Sequence, residues 1–238
     1  MIPLKDDVPS RSVPIVTIGL IALNVLVFLY QFSLGVDARG PGAGAAEGFI
    51  MEFGLVPCRL TGSCLGLEDF PSPVITIFTS MFLHGGITHI GGNMLYLWIF
   101  GDNVEDTLGH GRFLVFYLAA GAAAALIQTM LSPASRVPMV GASGAISGVL
   151  GAYLLLFPYA TILTLLILGF FVRFIHVPAM IVLGFWFILQ LLYGTISISA
   201  QSLGRGESGG VAWFAHIGGF LVGMLLLFLL RPRESRRL

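Results

Sequence analysis

Ser143 is the first residue whose type and position suggest chemistry. It stands in the run Gly141-Ala142-Ser143-Gly144-Ala145-Ile146-Ser147-Gly148, at the start of an apolar segment. At a helix N-terminus, unpaired backbone N–H groups and the dipole favour negative charge, which suits a serine nucleophile and an oxyanion alike. The run does not fit the G-x-S-x-G nucleophile elbow, because Gly144 follows the serine directly. Taken alone, its small residues are explained more simply by close helix packing, with Ser143 bonded to a carbonyl.

His216 is the candidate general base. It lies three residues before Gly219 and seven before Gly223, so the three positions share one face of a helix. A neutral imidazole on that face could take the proton of Ser143 if two glycine-lined helices pack together. The alternative is a buried histidine that only bonds to a neighbouring helix. The predicted helix-packing glycines are Gly144 and Gly148 on one helix and Gly219 and Gly223 on the other.

His89 and Asn93 are the candidate oxyanion donors. They lie four residues apart, hence on one helix face, and both side chains can donate hydrogen bonds to an anionic oxygen. A metal site is the rival interpretation, but this spacing lacks the second histidine and the glutamate of H-E-x-x-H. We predict no metal and no cofactor. Three other histidines are interpreted as structural: His84, His110 and His176.

The elements that must position these residues are membrane helices. Of the 238 residues 56% are hydrophobic and only 10% are charged, against about 25% charged in an ordinary soluble domain. The net charge of zero argues against a nucleic-acid partner. A bilayer, in contrast, would cover this much apolar surface. The sequence predicts an all-α membrane protein with six spans, at about 13–34, 88–103, 113–131, 142–157, 179–196 and 211–230. No Asp or Glu is expected deep within these spans.

Two connections between the spans are unusual. The polar stretch 35–73 contains Cys58 and Cys64, which could form a disulfide or stay free thiols. The apolar stretch 160–176 is interrupted by Gly169 and Arg173 and is interpreted as an interfacial connector, because Arg173 would be costly at mid-bilayer.

The distribution of Lys and Arg predicts the orientation in the membrane. Residues 1–12 form a cytoplasmic N-terminus, 13–231 the six-helix domain and 232–238 a basic cytoplasmic tail. The long first loop then lies outside the cytoplasm, and a prokaryotic inner or plasma membrane is the expected location. The predicted cytoplasmic set is Lys5, Arg11, Arg112, Arg173, Arg231, Arg233, Arg236 and Arg237, against Arg39, Arg59, Arg136 and Arg205 on the other side.

Three motifs in this order resemble those of the rhomboid family of intramembrane serine proteases. Gly141-Ala142-Ser143-Gly144 resembles its G-x-S-G motif, and Ala215-His216 with the following glycines resembles its final-helix motif. His84, His89 and Asn93 match its H-x-x-x-x-H-x-x-x-N segment. The likeness extends from about Thr76 to Leu229.

The resemblance implies a rhomboid-like bundle with a long first extracytoplasmic loop and a Ser143–His216 dyad without a carboxylate. His89, Asn93 and the N–H of Ser143 would form the oxyanion hole. The substrates would be other transmembrane proteins, while the sequence leaves the oligomeric state unknown. The fifth span and the loop Gly194–Gly210 would act as gate and cap.

The chain departs from the family pattern at two places. Many members carry Trp-Arg in the first loop, whereas this chain has neither near Ile75-Thr76. The residue one turn after the serine is often aromatic and packs on the histidine, but here it is Ser147. Orientation of His216 is then expected from another residue, Tyr153 or Phe214.

Two other functions are alternatives to proteolysis. One is a catalytically silent rhomboid-like factor that binds membrane proteins. The other is a small transporter or channel, which would call for ionisable residues deep in several spans or an internal repeat.

Overall fold

A computed structural model describes residues 2–35, 43–64, 71–169, 171–202 and 211–232. The chain is mostly helical, as predicted. Six helices cover the six predicted spans: α1 (Ile15–Ser33), α5 (Ile87–Leu108), α6 (His110–Leu131), α7 (Ser143–Leu156), α8 (Ala179–Ser202) and α9 (Trp213–Leu230). Three shorter helices lie between α1 and α5: α2 (Ala43–Phe53), α3 (Pro57–Leu60) and α4 (Pro73–Thr79).

Helix α7 lies at the centre of the bundle and packs mainly against α6 and α9. Nine of its fourteen residues are buried, from Ala145 to Tyr153. The core beside it contains large side chains from α5 and α6, among them Phe100, Phe113 and Phe116. In contrast, α1, α8 and α9 expose many large apolar side chains on their outer faces. Such a surface suits lipid rather than water.

Within the described residues, four helices are long and apolar enough to cross a membrane: α1, α6, α8 and α9. A fifth crossing arises if Pro73–Phe82 and Ile87–Leu108 count as one span with an 81° bend. Helix α7 is apolar but shorter, with 14 residues. The chain is therefore a multi-pass helical membrane protein, and the number six stays a prediction.

The stretch predicted to be an interfacial connector forms two strands of a three-stranded antiparallel sheet. Strand β2 (Thr161–Leu168) lies between β1 (Ile2–Asp6) and β3 (Phe171–Pro178), with Ile2 opposite Leu165 and Thr161 opposite Pro178. Gly169 has a φ of +58°, which glycine adopts readily in a tight hairpin turn. The β-branched and aromatic residues on both sides of this glycine are typical of a hairpin. The hairpin was not predicted because a short apolar run fits a strand and a buried connector equally well.

The first loop is held by a disulfide and a buried arginine. Cys58 and Cys64 are bridged, with their Cα atoms 5.0 Å apart. Arg59 is buried and donates to the carbonyls of Met51 (3.1 Å) and Pro71 (3.0 Å). This arginine gives the loop an internal support where the family's Trp-Arg pair is missing.

A buried carboxylate was missed because the second span was predicted to end at residue 103. Helix α5 continues to Leu108 and contains Glu105, which is fully buried. Its carboxylate accepts hydrogen bonds from the N–H groups of Val16 (2.9 Å) and Thr17 (2.8 Å). His110 Nδ1 lies 2.5 Å from it. A carboxylate here stabilises the N-terminus of α1, where the helix dipole favours negative charge.

Candidate active site

Ser143 and His216 meet where α7 and α9 begin. Ser143 is the first residue of α7, and His216 lies in the first turn of α9. The distance from Ser143 Oγ to His216 Nε2 is 2.8 Å, which is a hydrogen bond. Neither side chain is fully exposed. A hydroxyl in contact with an imidazole is the arrangement that nucleophile activation requires.

Glycines bring the two helices close enough for this contact. A methyl group added at Gly219 would meet the backbone of Gly144, and one added at Gly223 would meet the backbone of Gly148. Helix α6 is equally close, because a methyl group at Gly144 would lie 2.8 Å from Ala124 Cβ. The four predicted packing glycines thus all lie at the α7 contacts, with Gly151 against Phe220 one step further along.

Helix α8 holds the ring of His216 from its other side. Gln190 Oε1 lies 2.8 Å from His216 Nδ1. The Trp186 ring, one turn earlier on α8, lies 5.9 Å from the imidazole, and Trp213 contacts it edge-on at 6.3 Å. Tyr153 and Phe214, which were expected to orient His216, do not. The Tyr153 hydroxyl instead donates to Asp6 at 2.6 Å, at the opposite end of α7.

His89 and Asn93 approach the residues just before Ser143. Gly141 has a φ of +125°, and a methyl group there would lie 2.7 Å from His89 Nε2 and 3.5 Å from Asn93 Nδ2. The Gly85 N–H donates to His89 Nδ1 at 3.3 Å. A neutral His89 therefore carries its proton on Nε2, the nitrogen that faces Gly141. Glycine is needed at position 141 for both its backbone angle and its lack of a side chain.

His84, which was predicted to be structural, contacts the side chain of Asn93. Asn93 Nδ2 lies 2.9 Å from His84 Nε2, and both residues are buried. The backbone of His84 is held by Gln31 of α1, whose amide accepts from the His84 N–H (3.0 Å) and donates to its carbonyl (3.2 Å). The amide of Asn93 on α5 is thus held through the loop residue His84 by Gln31 of α1.

A cavity of about 870 Å³ joins these groups. Its walls include the serine, both histidines of the site, the amide of Asn93 and the aromatic rings of α8 and α9. In the described part of the chain, no group of three or more His, Cys, Asp and Glu is placed to hold a metal ion. The chemical groups that face this cavity include a serine hydroxyl, two imidazoles and the Asn93 amide, which are groups that a serine hydrolase uses.

Two glutamines of the site were not found from the sequence. Gln190 contacts the imidazole, and Gln128 of α6 accepts from the N–H groups of Phe214 (3.1 Å) and Ala215 (3.2 Å) at the start of α9. Both are polar residues within apolar helices, as are Ser143 and His216, and such residues often mark a functional site. The four-residue spacing of Trp186 and Gln190 also places them on one face of α8.

Residues 71–233, more than half of the chain, match the family model described as the rhomboid domain. The chain belongs to the rhomboid family. This confirms the resemblance seen in the three sequence motifs. The match begins before α4 and ends after α9, so it includes every helix that contributes to the cavity walls named above.

Several rhomboid relatives share part of the sequence. Rhomboid protein 1, mitochondrial, of Saccharomyces cerevisiae is 30% identical over 164 residues, 66% of this chain and 42% of its own. Rhomboid protease GluP of Bacillus subtilis is 47% identical over 78 residues, 33% of this chain and 15% of its own. RHOMBOID-like protein 1 of Arabidopsis thaliana is 31% identical over 186 residues, 75% of this chain and 42% of its own. The chain spans less than half the length of these relatives.

Proposed function

We propose that this rhomboid protein is an intramembrane serine endopeptidase that cleaves other membrane proteins in or near their transmembrane segments. The observation that supports this most is the 2.8 Å hydrogen bond between Ser143 Oγ and His216 Nε2 inside a cavity among membrane helices. The Bacillus subtilis relative is named a rhomboid protease, which points to the same chemistry. Ser143 is the proposed nucleophile and His216 the proposed base.

In the first half of the reaction, Ser143 Oγ attacks the carbonyl carbon of the scissile bond while His216 Nε2 takes the hydroxyl proton. The carbonyl oxygen becomes an oxyanion. His89 Nε2–H, the amide of Asn93 and the N–H of Ser143 are the proposed donors to it, since all lie at the same end of the cavity. When the tetrahedral intermediate collapses, His216 gives its proton to the leaving amine and an acyl-enzyme remains.

In the second half, water attacks the acyl carbonyl and His216 takes a proton from it. When the second tetrahedral intermediate collapses, the bond between Ser143 Oγ and the acyl carbon breaks, His216 returns the proton to Ser143 Oγ, and the new carboxyl terminus leaves. No carboxylate assists the imidazole in this scheme, so the helix N-terminus and neutral donors carry the electrostatic stabilisation.

The proposed setting follows the charge count of the sequence. Both termini are placed in the cytoplasm of a cell membrane, residues 13–231 form the six-span domain, and the bridged first loop lies on the opposite side. Helix α8 and the connection after it are the proposed gate. That helix continues to Ser202, so residues 194–202 are helical, while residues 203–210 lie outside the described residues.

A catalytically silent binding factor is the alternative within the family. A protein of that kind needs neither a serine hydroxyl nor an imidazole, and the contact between them favours the enzyme.

The test is reconstitution of wild type, Ser143→Ala and His216→Ala in liposomes with a fluorogenic transmembrane peptide. We expect cleavage by wild type alone, with a loss on the order of 10³-fold or more in each variant. The matched control is Thr129→Val, which removes a buried hydroxyl bonded to Ala125 O of its own helix and outside the cavity walls. Normal cleavage by Ser143→Ala contradicts the proposal.

A further inference from the structure

We propose that Gln190 is a positioning residue that selects the productive tautomer of His216, so that the dyad works as a Ser143–His216–Gln190 relay of hydrogen bonds. This inference rests on the proposed function. It goes beyond the dyad, because it assigns a task to a side chain of α8 that none of the sequence motifs contains.

The direction of the Gln190 amide is set by its second contact. Gln190 Nε2 donates to the carbonyl oxygen of Trp186 at 3.3 Å. The amide oxygen, Oε1, is therefore the atom that faces His216 Nδ1 at 2.8 Å. A carbonyl oxygen only accepts hydrogen bonds, so His216 Nδ1 must carry the hydrogen.

The tautomer then follows from counting hydrogens. A neutral imidazole has one N–H, and Gln190 fixes it on Nδ1. The lone pair is left on Nε2, which lies 2.8 Å from Ser143 Oγ and accepts the serine proton. The opposite tautomer would present N–H to the hydroxyl and could not act as a base. Selecting one tautomer is the task that the third member of a serine-protease triad performs.

The surroundings favour keeping this contact. Gln190 is only 6% exposed, and a buried amide without a partner is costly. Trp186, one turn earlier, packs against both His216 and Phe220 of α9 and holds this part of α8 in place. The acceptor is neutral, so Gln190 orients the imidazole without adding a charge to a site within the membrane.

The experiment compares wild type, Gln190→Leu and Gln190→Glu as full-length protein in detergent micelles. Histidine-selective ¹⁵N labelling reports which ring nitrogen carries the proton, and a spectrum of His216→Ala assigns the His216 signals among the five histidines. Values of kcat and KM are measured in parallel with the transmembrane peptide, across pH. Asn24→Leu is the control, because it removes a buried amide on α1, outside the cavity walls.

We expect the His216 spectrum of wild type to show the Nδ1–H form, and that of Gln190→Leu to show a mixture of both forms. Leucine should lower kcat by about 10-fold to 100-fold with little change in KM. Glutamate restores an oxygen acceptor, so most of kcat should return. A charged carboxylate would also favour the protonated imidazole and shift the acid limb of the profile to higher pH.

The proposal is overturned if Gln190→Leu keeps the wild-type tautomer and kcat. It is also overturned if leucine and glutamate lower kcat equally while the His216 spectrum stays unchanged, since Gln190 would then act only through packing. Asn24→Leu should match wild type in both readouts. The spectra do not depend on cleavage, so a failure of the proposed protease activity would be distinguishable from a failure of this assignment.

Discussion

Helix α9 touches two neighbours in opposite ways. Against α7 the two backbones approach closely, since glycines at 144, 148, 219 and 223 leave no side chain between the helices at these positions. Against α8 it meets long side chains, with Phe187 stacked on Phe220 at 4.6 Å and Tyr193 stacked on Trp213 at 4.9 Å.

The two contacts of α9 therefore have different tasks. A backbone contact has no rotamers, so it fixes the distance between Ser143 and His216 rigidly. The contact with α8 is made by aromatic rings and an amide, which are side chains with rotamers, and through it α8 orients the imidazole. Substitutions at the two contacts test this division of tasks, and those at the α7 contact should lower stability and cleavage most.

The largest loss of stability and of cleavage is expected when a methyl group is added at the glycine contact between α7 and α9. In Gly223→Ala the new carbon would meet the backbone of Gly148, with its carbonyl carbon 2.6 Å away, so the helices must separate. We expect a loss of about 1–3 kcal/mol in the free energy of unfolding and a strong loss of cleavage. The measurement is unfolding in mixed micelles together with peptide cleavage.

The matched control for that variant lies on α8. A methyl group at Gly184 meets nothing within 4 Å, so Gly184→Ala should keep wild-type stability and cleavage. If both alanine variants behave alike, the contrast between the two contacts is wrong.

A smaller loss of stability is expected when the Gln128 amide, which binds the first turn of α9, is removed. Gln128→Leu leaves the N–H groups of Phe214 and Ala215 without their acceptor. We expect a loss of about 1–2 kcal/mol in the free energy of unfolding, measured in the same micelles. The neighbouring Thr129→Val, which loses only a bond to its own helix, should stay close to wild type. An unchanged unfolding curve for Gln128→Leu would argue against a capping role.

Loss of the Trp186 ring, which packs on the imidazole of His216, should lower turnover rather than stability. In Trp186→Leu, His216 keeps its distance to Ser143 but loses one packed ring face, so we expect kcat to fall about 2-fold to 10-fold. Trp98→Leu is the control, because Trp98 lies 56% exposed on α5. A fall in stability as large as that of Gly223→Ala would show that α8 is as rigidly packed as α7.

The smallest effect concerns the other end of α7, where Asp6 accepts from Tyr153. Burial raises the pKa of Asp6 above its ordinary 3.8, although the hydrogen bond from Tyr153 acts the other way. A raised pKa means that the folded state binds the proton more tightly, so this contribution to stability falls as the pH rises above 3.8. We expect Asp6→Asn to flatten that part of the stability profile, by less than about 0.5 kcal/mol after solvent screening.

Asp7 serves as the comparison because its pKa is shifted in the opposite direction from that of Asp6. The N–H of Thr161 donates to its carboxylate at 2.8 Å and lowers the pKa of Asp7 below 3.8. Its contribution is present above pH 3.8 and is lost as the pH falls through the lowered value. Asp7→Asn should therefore lose stability near neutral pH and match wild type in acid. Equal pH slopes for the two asparagine variants would contradict these assignments.

The helical bundle and the two central residues could be predicted from the sequence because their signals are local. Long apolar runs indicate spans, and glycines at helical spacing beside Ser143 and His216 indicate where two helices meet. His89 and Asn93 follow from a four-residue spacing on one helix. Each of these patterns lies within a single segment.

What could not be predicted depends on which segments become neighbours. Gln190 and Gln31 are both polar residues in apolar helices, yet one contacts His216 and the other holds the backbone of His84. Nothing in their local sequence separates the two cases. The hairpin of β2 and β3 was missed for another reason, because a short apolar run fits a strand and a buried connector equally well.

The length of α7 sets the depth at which a peptide bond can be reached. Its 14 residues rise about 21 Å, whereas the hydrocarbon layer is about 30 Å thick. If α7 is the proposed fourth span and its far end reaches one membrane surface, Ser143 would lie roughly 9 Å beneath the other. A helical substrate would present the bond about six residues inside its own membrane boundary. In the proposed protease, thicker lipid would move the reachable bond towards the middle of the substrate helix, and bilayer thickness would then contribute to the choice of cleavage position.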